Sequence, residues 1–272
     1  MAMTMRIPAQ YYQQFDADFS LEFPVEGYEG WKTTELELDP AHTAVVVMHA
    51  WDLGTIEQFP GQFRCCYEVM STYEVCRNVF PGLLGVVRRS PFHLFHVVAG
   101  ESYCKDYPGY QRAVALAGPP TEPTLRVDPD PTYEALCKFK EEQVFPGKHN
   151  LQDCADSWKS VTFPKEAEPQ ADEGIAKDGR QLFALCKDAG VNHLIYAGFN
   201  IDWCLLMSAG GMVDMSRYGL LCSAFRDAVT AVENRETIRG HIGKDISLWR
   251  VSVGFGFVFE TPDFIGAIDK GQ

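Results

Sequence analysis

Short apolar runs alternate with longer amphipathic stretches along most of the chain. Thr43-Ala44-Val45-Val46-Val47-Met48-His49 is a continuous, β-branched run of the kind that forms a strand buried on both faces. Helical periodicity follows over Tyr67–Val79 and, beyond Pro81, over Leu83–Arg89, after which Pro91–Ala99 predicts a second strand. Ser160–Pro164 predicts a third strand, Asp178–Ala189 a helix, Asn192–Gly198 a fourth buried strand, Asp202–Tyr218 a helix and Gly219–Ala224 a fifth strand. A helical pattern around Val232–Ile242, an apolar segment at Val251–Phe259 and a closing helix at Pro262–Ile268 complete the series. This order predicts an α/β fold, a three-layer α/β/α, Rossmann-like arrangement with a mainly parallel sheet of about six strands.

Two regions lack that rhythm. Residues 1–40 are polar and aromatic and are expected to form a surface extension of a single domain spanning 1–272. The stretch 100–158 holds Pro108, Pro119, Pro120, Pro123, Pro129, Pro131 and Pro146, and reads as a long loop insertion with one helix near Thr132–Gln143. A connection of that length inside one domain is more often functional than idle.

Composition narrows the function classes. The chain has 272 residues, 46% of them hydrophobic, which is enough for one large buried core. With 37 acidic against 24 basic side chains its net charge is −13, so the clustered cations that DNA, RNA or anionic lipid require are missing. No apolar run reaches bilayer length, and Met1-Ala2-Met3-Thr4-Met5-Arg6 lacks the hydrophobic stretch of a signal peptide. A soluble, cytoplasmic protein with neither nucleic acid nor membrane as partner is expected. The nine cysteines form an odd, scattered set without C-x-x-C spacing, which speaks against a disulfide framework and a zinc knuckle.

In parallel sheets ligands bind beyond the carboxyl ends of the strands. Three such ends carry chemistry: His49-Ala50-Trp51-Asp52, Pro164-Lys165 and Gly198-Phe199-Asn200-Ile201-Asp202-Trp203-Cys204. Cys204 falls in the first turn of a predicted helix with Asp202 as N-cap, where unpaired N–H groups and the helix dipole stabilise a thiolate. The same position equally suits a small buried residue.

Around this cysteine the chain resembles the isochorismatase-like cysteine hydrolases, the superfamily of nicotinamidases and N-carbamoylsarcosine amidohydrolases. The resemblance rests on Gly198-Phe199-Asn200-Ile201-Asp202-Trp203-Cys204-Leu205, then Arg217-Tyr218-Gly219-Leu220-Leu221-Cys222, then Asp227-Ala228. It implies Cys204 as a nucleophile that forms a thioester-type intermediate on a small-molecule substrate, with no cofactor. It implies a lysine at the end of a middle strand some forty residues earlier, matched by Lys165 and more weakly by Lys159. It implies an oxyanion hole of the Asn200 and Cys204 backbone N–H groups, and with it a cis Phe199–Asn200 peptide bond, rare outside proline. It also implies a homo-oligomer, dimer or tetramer.

The family pattern ends its first strand in an aspartate that serves as general base, and here that register holds His49, with Asp52 three residues on. Either His49 replaces the carboxylate, or Asp52 reaches the thiol after a bend, or the site only binds ligand. The metal cluster of nicotinamidases has no counterpart at Val97–Tyr103, and His93 and His96, three apart in a strand, point to opposite faces. A metal site is therefore not expected. Trp51, Tyr103, Phe199 and Trp203, together with Tyr107, are candidate substrate-binding walls, and His149 could line the pocket. Gly254-Phe255-Gly256-Phe257 lacks the third glycine and following helix of a dinucleotide site. Three functions follow: a hydrolase of amide or carbamoyl C–N bonds, a catalytically silent binding protein on the same fold, and a vinyl ether hydrolase.

Overall fold

The sheet grows outward from the Val-rich run and its apolar counterpart at Asn192–Gly198. The computed structural model describes residues 4–119 and 127–271; Met1–Met3 at the start of the chain, and Pro120 and Pro123 of the predicted loop, lie outside them. Within the described residues eight strands form one sheet. They are β1 (Met5–Gln13), β2 (Gly30–Leu38), β3 (Thr43–Met48), β4 (His93–Val97), β5 (Gly174–Ala176), β6 (His193–Gly198), β7 (Leu221–Val229) and β8 (Val258–Phe259). Their spatial order is β2-β1-β8-β7-β6-β3-β4-β5. The six strands from β8 to β5 run parallel, while β1 joins β8 and β2 antiparallel.

The helices are α1 (Pro60–Cys65), α2 (Val69–Asn78), α3 (Phe80–Arg88), α4 (Pro108–Ala117), α5 (Pro131–Gln143), α6 (Leu151–Lys159), α7 (Gly179–Ala189), α8 (Cys204–Met207), α9 (Met212–Ser216), α10 (Ile242–Gly254) and α11 (Thr261–Gly271). Side chains alternate across β3, so Val45 and Val47 meet Phe80, Leu84 and Phe264 of α3 and α11. Val46 and Met48 instead meet Leu182, Leu185, Met212 and Leu248 of α7, α9 and α10. The α/β/α layering predicted from the alternation is therefore observed, with six parallel strands, the number expected, and two more.

The two extra strands come from the segment read as a surface extension. Met5, Ile7 and Ala9 are buried while their neighbours are not, a period of two that sets β1 on the sheet. The loop read over 100–158 contains the helix expected near Thr132–Gln143, here α5, and two more, α4 and α6; Pro108 and Pro131 stand at helix starts, where a missing N–H is harmless. Ser160–Pro164 forms no sheet strand: Thr162 makes only an isolated bridge with Asp52. The outer strand is β5, three residues long and too short to leave a hydrophobic pattern. The helix expected over Asp202–Tyr218 is broken between α8 and α9, where Gly210 takes a φ of 79° that a helix does not allow. The helix expected around Val232–Ile242 starts only at Ile242 and runs through Val251, so of Val251–Phe259 only the end is strand.

A buried polar group holds β5 at the sheet edge. Arg88 Nε donates to Glu173 Oε1 at 2.7 Å, and His96 Nε2 lies 2.9 Å from Glu173 Oε2. Burial alone would raise the Glu173 pKa, but the His96 and Arg88 hydrogen bonds bring it down to about 2. A folded-state pKa below the usual 4.5 means that this carboxylate stabilises the fold above pH 4.5 and loses that contribution as pH falls toward 2. His96, held below its usual 6.5 by burial, adds to the acid loss in the same direction. Glu173→Gln is expected to lower stability at pH 7 by on the order of 2 kcal/mol and to flatten the fall in Tm between pH 4.5 and 2, read by thermal melts.

Candidate functional site

The direction of chain progression reverses between β3 and β6: β4 and β5 follow on one side, β7 and β8 on the other. The carboxyl ends of β3 and β6 therefore form a topological switch point, the crevice where ligands sit in open α/β sheets. Met48 pairs with Gly198 at that edge, and Phe199 N–H donates to the Met48 carbonyl at 3.0 Å. His49 and the Phe199–Cys204 turn thus leave the sheet side by side.

His49 is 6% exposed and adopts a φ of 55°, a left-handed backbone rare outside glycine and found most often where function demands it. Its N–H donates to Val97 O at 2.8 Å and its ring stacks on Trp51, centroids 4.8 Å apart. The Nδ1 atom is buried without a partner. Burial pushes the imidazole down to about 4, so it is neutral at pH 7. Trp158 of α6 closes edge-on over Trp51 at 4.7 Å. The Trp51 indole N–H faces the Tyr103 hydroxyl without meeting hydrogen-bond geometry, and Tyr103 rests on Phe163 at 4.9 Å. This end of the sheet is thus walled by aromatic rings with buried polar atoms that no side chain uses.

On the other side of the crevice the Phe199–Asn200 bond is cis, as expected. Thr230 Oγ1 donates to Asn200 Oδ1 at 2.5 Å and so fixes Asn200 against the end of β7. Cys204 opens α8 and is half-buried. Its thiol is pushed up by burial, against the Ser208 hydroxyl and the Asn200 backbone N–H, both of which favour the thiolate; the Asp202 charge adds to the rise. The low-pKa thiol expected from the helix start is therefore not what the fold provides, because α8 has only four residues and a buried position. Asp202 is not the helix cap either. Its Oδ1 accepts from Val232 N–H at 2.9 Å, while Trp203 precedes the helix and is 58% exposed.

The other expected residues divide. Asp52 is turned away toward Gly54 N–H at 2.9 Å and the Tyr73 hydroxyl at 3.2 Å, so it is committed to its own turn. Phe199 is 2% exposed and stacks on Phe80 at 5.7 Å, a core residue and no pocket wall. Lys165 is exposed in a short 3-10 helix and stands at no strand end, because the third strand is β5. Lys159 pairs with Asp156 at 2.8 Å, and Tyr107 donates to Glu168 at 3.1 Å. His93 meets the Ala41 carbonyl at 3.1 Å, apart from the buried His96. His149 lines a separate cavity with Arg64 and Cys65.

Three residues went unnoticed in the sequence. Lys177 directly follows β5, with its Nζ 2.7 Å from Glu101 Oε2, and Tyr110 donates to the same oxygen at 2.8 Å. The Glu101 hydrogen bond raises the Lys177 pKa, so the side chain is a cation at neutral pH. Ser208 was hidden inside the expected helix. Glu68 is 8% exposed, its carboxyl pushed up by burial and by the nearby Asp202. A cavity of about 280 Å³ opens between α2 and the end of β7, lined by Tyr67, Asn78, Thr230, His241 and Lys244 among others.

The chain matches no family model and no curated protein. Among solved structures it is similar to a cysteine hydrolase from Pseudomonas syringae pv. phaseolicola, at 14% identity and a TM-score of 0.48, over 86% of this chain and 96% of that one. It is similar to an isochorismatase family protein from Desulfovibrio vulgaris at 18% identity and a TM-score of 0.44, over 84% of this chain and 97% of that one. A nicotinamidase from Staphylococcus aureus gives 12% identity and a TM-score of 0.35, over 79% of this chain and 98% of that one. Among the described residues no helix is long and apolar enough to cross a membrane.

Proposed function

We propose that the chain is a divergent isochorismatase-like cysteine hydrolase that cuts an amide or carbamoyl C–N bond in a small molecule. The observation that carries this reading is the placement of Cys204 at the switch point with the Asn200 N–H facing its sulfur. In this reading the sulfur attacks the carbonyl carbon and the oxygen takes up negative charge against the Asn200 and Cys204 N–H groups. The C–N bond then breaks, the amine leaves with a proton, and water hydrolyses the thioester. His49, neutral and unpartnered at Nδ1, is the base at the edge of the neighbouring strand.

The pKa values constrain how the proton moves. Burial raises the Cys204 thiol and lowers the His49 imidazole to about 4, and both shifts disfavour a thiolate–imidazolium pair before substrate arrives. The proton therefore leaves sulfur only as the sulfur–carbon bond forms. Lys177, at the carboxyl end of β5 and a cation at neutral pH, replaces Lys165 as the lysine that stabilises charge developing during the reaction; it is not among the groups that set the resting Cys204 thiol.

The test is ammonia or amine release from a panel of small amides and carbamoyl compounds. Lys177→Ala is expected to reduce kcat/KM by about 10² or more, and Lys165→Ala to leave it within about twofold. The Lys177–Glu101 pair is largely exposed, so its loss is worth under about 1 kcal/mol and Tm should hold. Equal activity in both variants would remove Lys177 from the site. A second reading, a binding protein without turnover, is favoured by the raised thiol and by the commitment of Asp52 to its turn. It predicts saturable ligand binding with no product from any compound of the panel. We further propose a homo-oligomer, to be checked by light scattering.

A further inference from the structure

Away from the switch point, three thiols meet where α1 packs on α6. Cys65 Sγ lies 3.3 Å from Cys154 Sγ and 3.8 Å from Cys66 Sγ. The two helices are held in place around them. Gly61 N–H donates to Asp153 Oδ2 at 2.6 Å, Arg64 Nε to Asn150 Oδ1 at 3.1 Å, and Ser157 Oγ to Gln62 Oε1 at 3.0 Å. A disulfide needs the sulfurs to close to about 2.05 Å, a move of little more than an ångström that side-chain rotation can supply. Cys66 is less suited, being next to Cys65 in the chain.

Cys65 is also reachable. It lines an open cavity of about 580 Å³ whose charged members are Arg64, Lys148 and Glu142, with His149 beside them. Both Cys65 and Cys154 are half-buried. Burial pushes the Cys65 thiol up to about 11 and the Cys154 thiol to about 12, which makes exchange slow at neutral pH.

We propose that Cys65 and Cys154 form a reversible disulfide by exchange with an acidic low-molecular-weight disulfide that enters this cavity, and that the bond ties α6 to α1. The Cys65 thiolate attacks one sulfur of the small disulfide, forming a mixed disulfide and releasing one small thiolate. The Cys154 thiolate then attacks Cys65 Sγ and releases the second small thiolate. Two protein thiols are oxidised, one small disulfide is reduced, and the two thiol protons pass to the departing thiolates or to solvent. Because α6 carries Trp158 onto Trp51, the bond fixes the aromatic wall beside His49. That consequence rests on the proposed hydrolase site; the bond itself does not.

The test uses the full chain with Cys137→Ser, which removes the exposed thiol, incubated with glutathione disulfide at pH 8.5. Intact mass is expected to fall by two hydrogens, with a Cys65–Cys154 cross-linked peptide in the non-reduced digest. Cys154→Ser should trap one glutathionyl group on Cys65, and Cys65→Ser should abolish the cross-link. Neutral hydroxyethyl disulfide should react at least about threefold more slowly. Modification that never bridges residues 65 and 154 overturns the proposal, and equal rates for both reagents overturn the part played by the cavity. Amide hydrogen exchange over 150–160 should slow on oxidation, and an unchanged rate refutes the tie between the helices. Loss of turnover is read separately, so a failed hydrolase assignment leaves the mass result intact.

Discussion

Cys204→Ala is expected to abolish turnover on whichever amide or carbamoyl compound the wild-type chain hydrolyses, with kcat/KM falling by at least about 10³. The fold should survive, because the side chain is half-buried and its removal takes away one sulfur. Substrate should still bind in the variant with a Kd near the wild-type KM. A variant that keeps activity within about tenfold of wild type would remove Cys204 as nucleophile. Alkylation of the wild-type thiol supplies an independent check. Burial sets the thiol above 9.0, so the rate of iodoacetamide labelling at Cys204 should keep rising with pH beyond 9.0. A plateau near neutral pH would mean that a cation or donor absent from the described contacts activates the sulfur. It would also remove the need for concerted proton loss.

The contrast between that raised thiol and the low one expected from the sequence shows what local pattern can and cannot carry. β3 and β6 were legible because their residues, Thr43 and His193 excepted, form apolar runs suited to burial on both faces, and all twelve are buried. Their adjacency, and with it the switch point, was not legible, because β6 returns to pair with β3 instead of continuing beyond β5. The short β5 was not legible, since Gly174-Ile175-Ala176 is three residues after an acidic loop. Placing the third strand at Ser160–Pro164 instead drew attention to Lys165 and away from Lys177. Pro108 was read as loop where it opens a helix. His49 was visible in the register where the resembled pattern has an aspartate. Its neutral state depends on burial, and the Trp51 ring stacked on it is covered by Trp158 of α6, which arrives from elsewhere in the chain. Glu68 was invisible for the same reason: a carboxylate becomes unusual only when tertiary packing removes its water.

Gly198→Ala is expected to destabilise the protein by at least about 3 kcal/mol and to disorder the site with it. Gly198 ends β6 with φ of 118°, a conformation that L side chains rarely adopt. A methyl group there would also collide with the Met48 carbonyl oxygen and approach the Met48 nitrogen and carbonyl carbon at 2.9 Å. The Met48 carbonyl cannot retreat without loss, because it accepts the Phe199 N–H that sets β3 and β6 in register at the crevice. Relieving the clash would therefore separate His49 from the Asn200–Cys204 turn, the two halves of the proposed site. Since domains have a total stability of about 5–15 kcal/mol, a large drop in Tm or in soluble yield is the expected readout. The folded fraction of the variant should also bind substrate more weakly, a loss that Cys204→Ala does not share. A Gly198→Ala variant with wild-type Tm and wild-type labelling of Cys204 would show that the β3–β6 edge can relax, and that the close approach at Gly198 does not position the nucleophile.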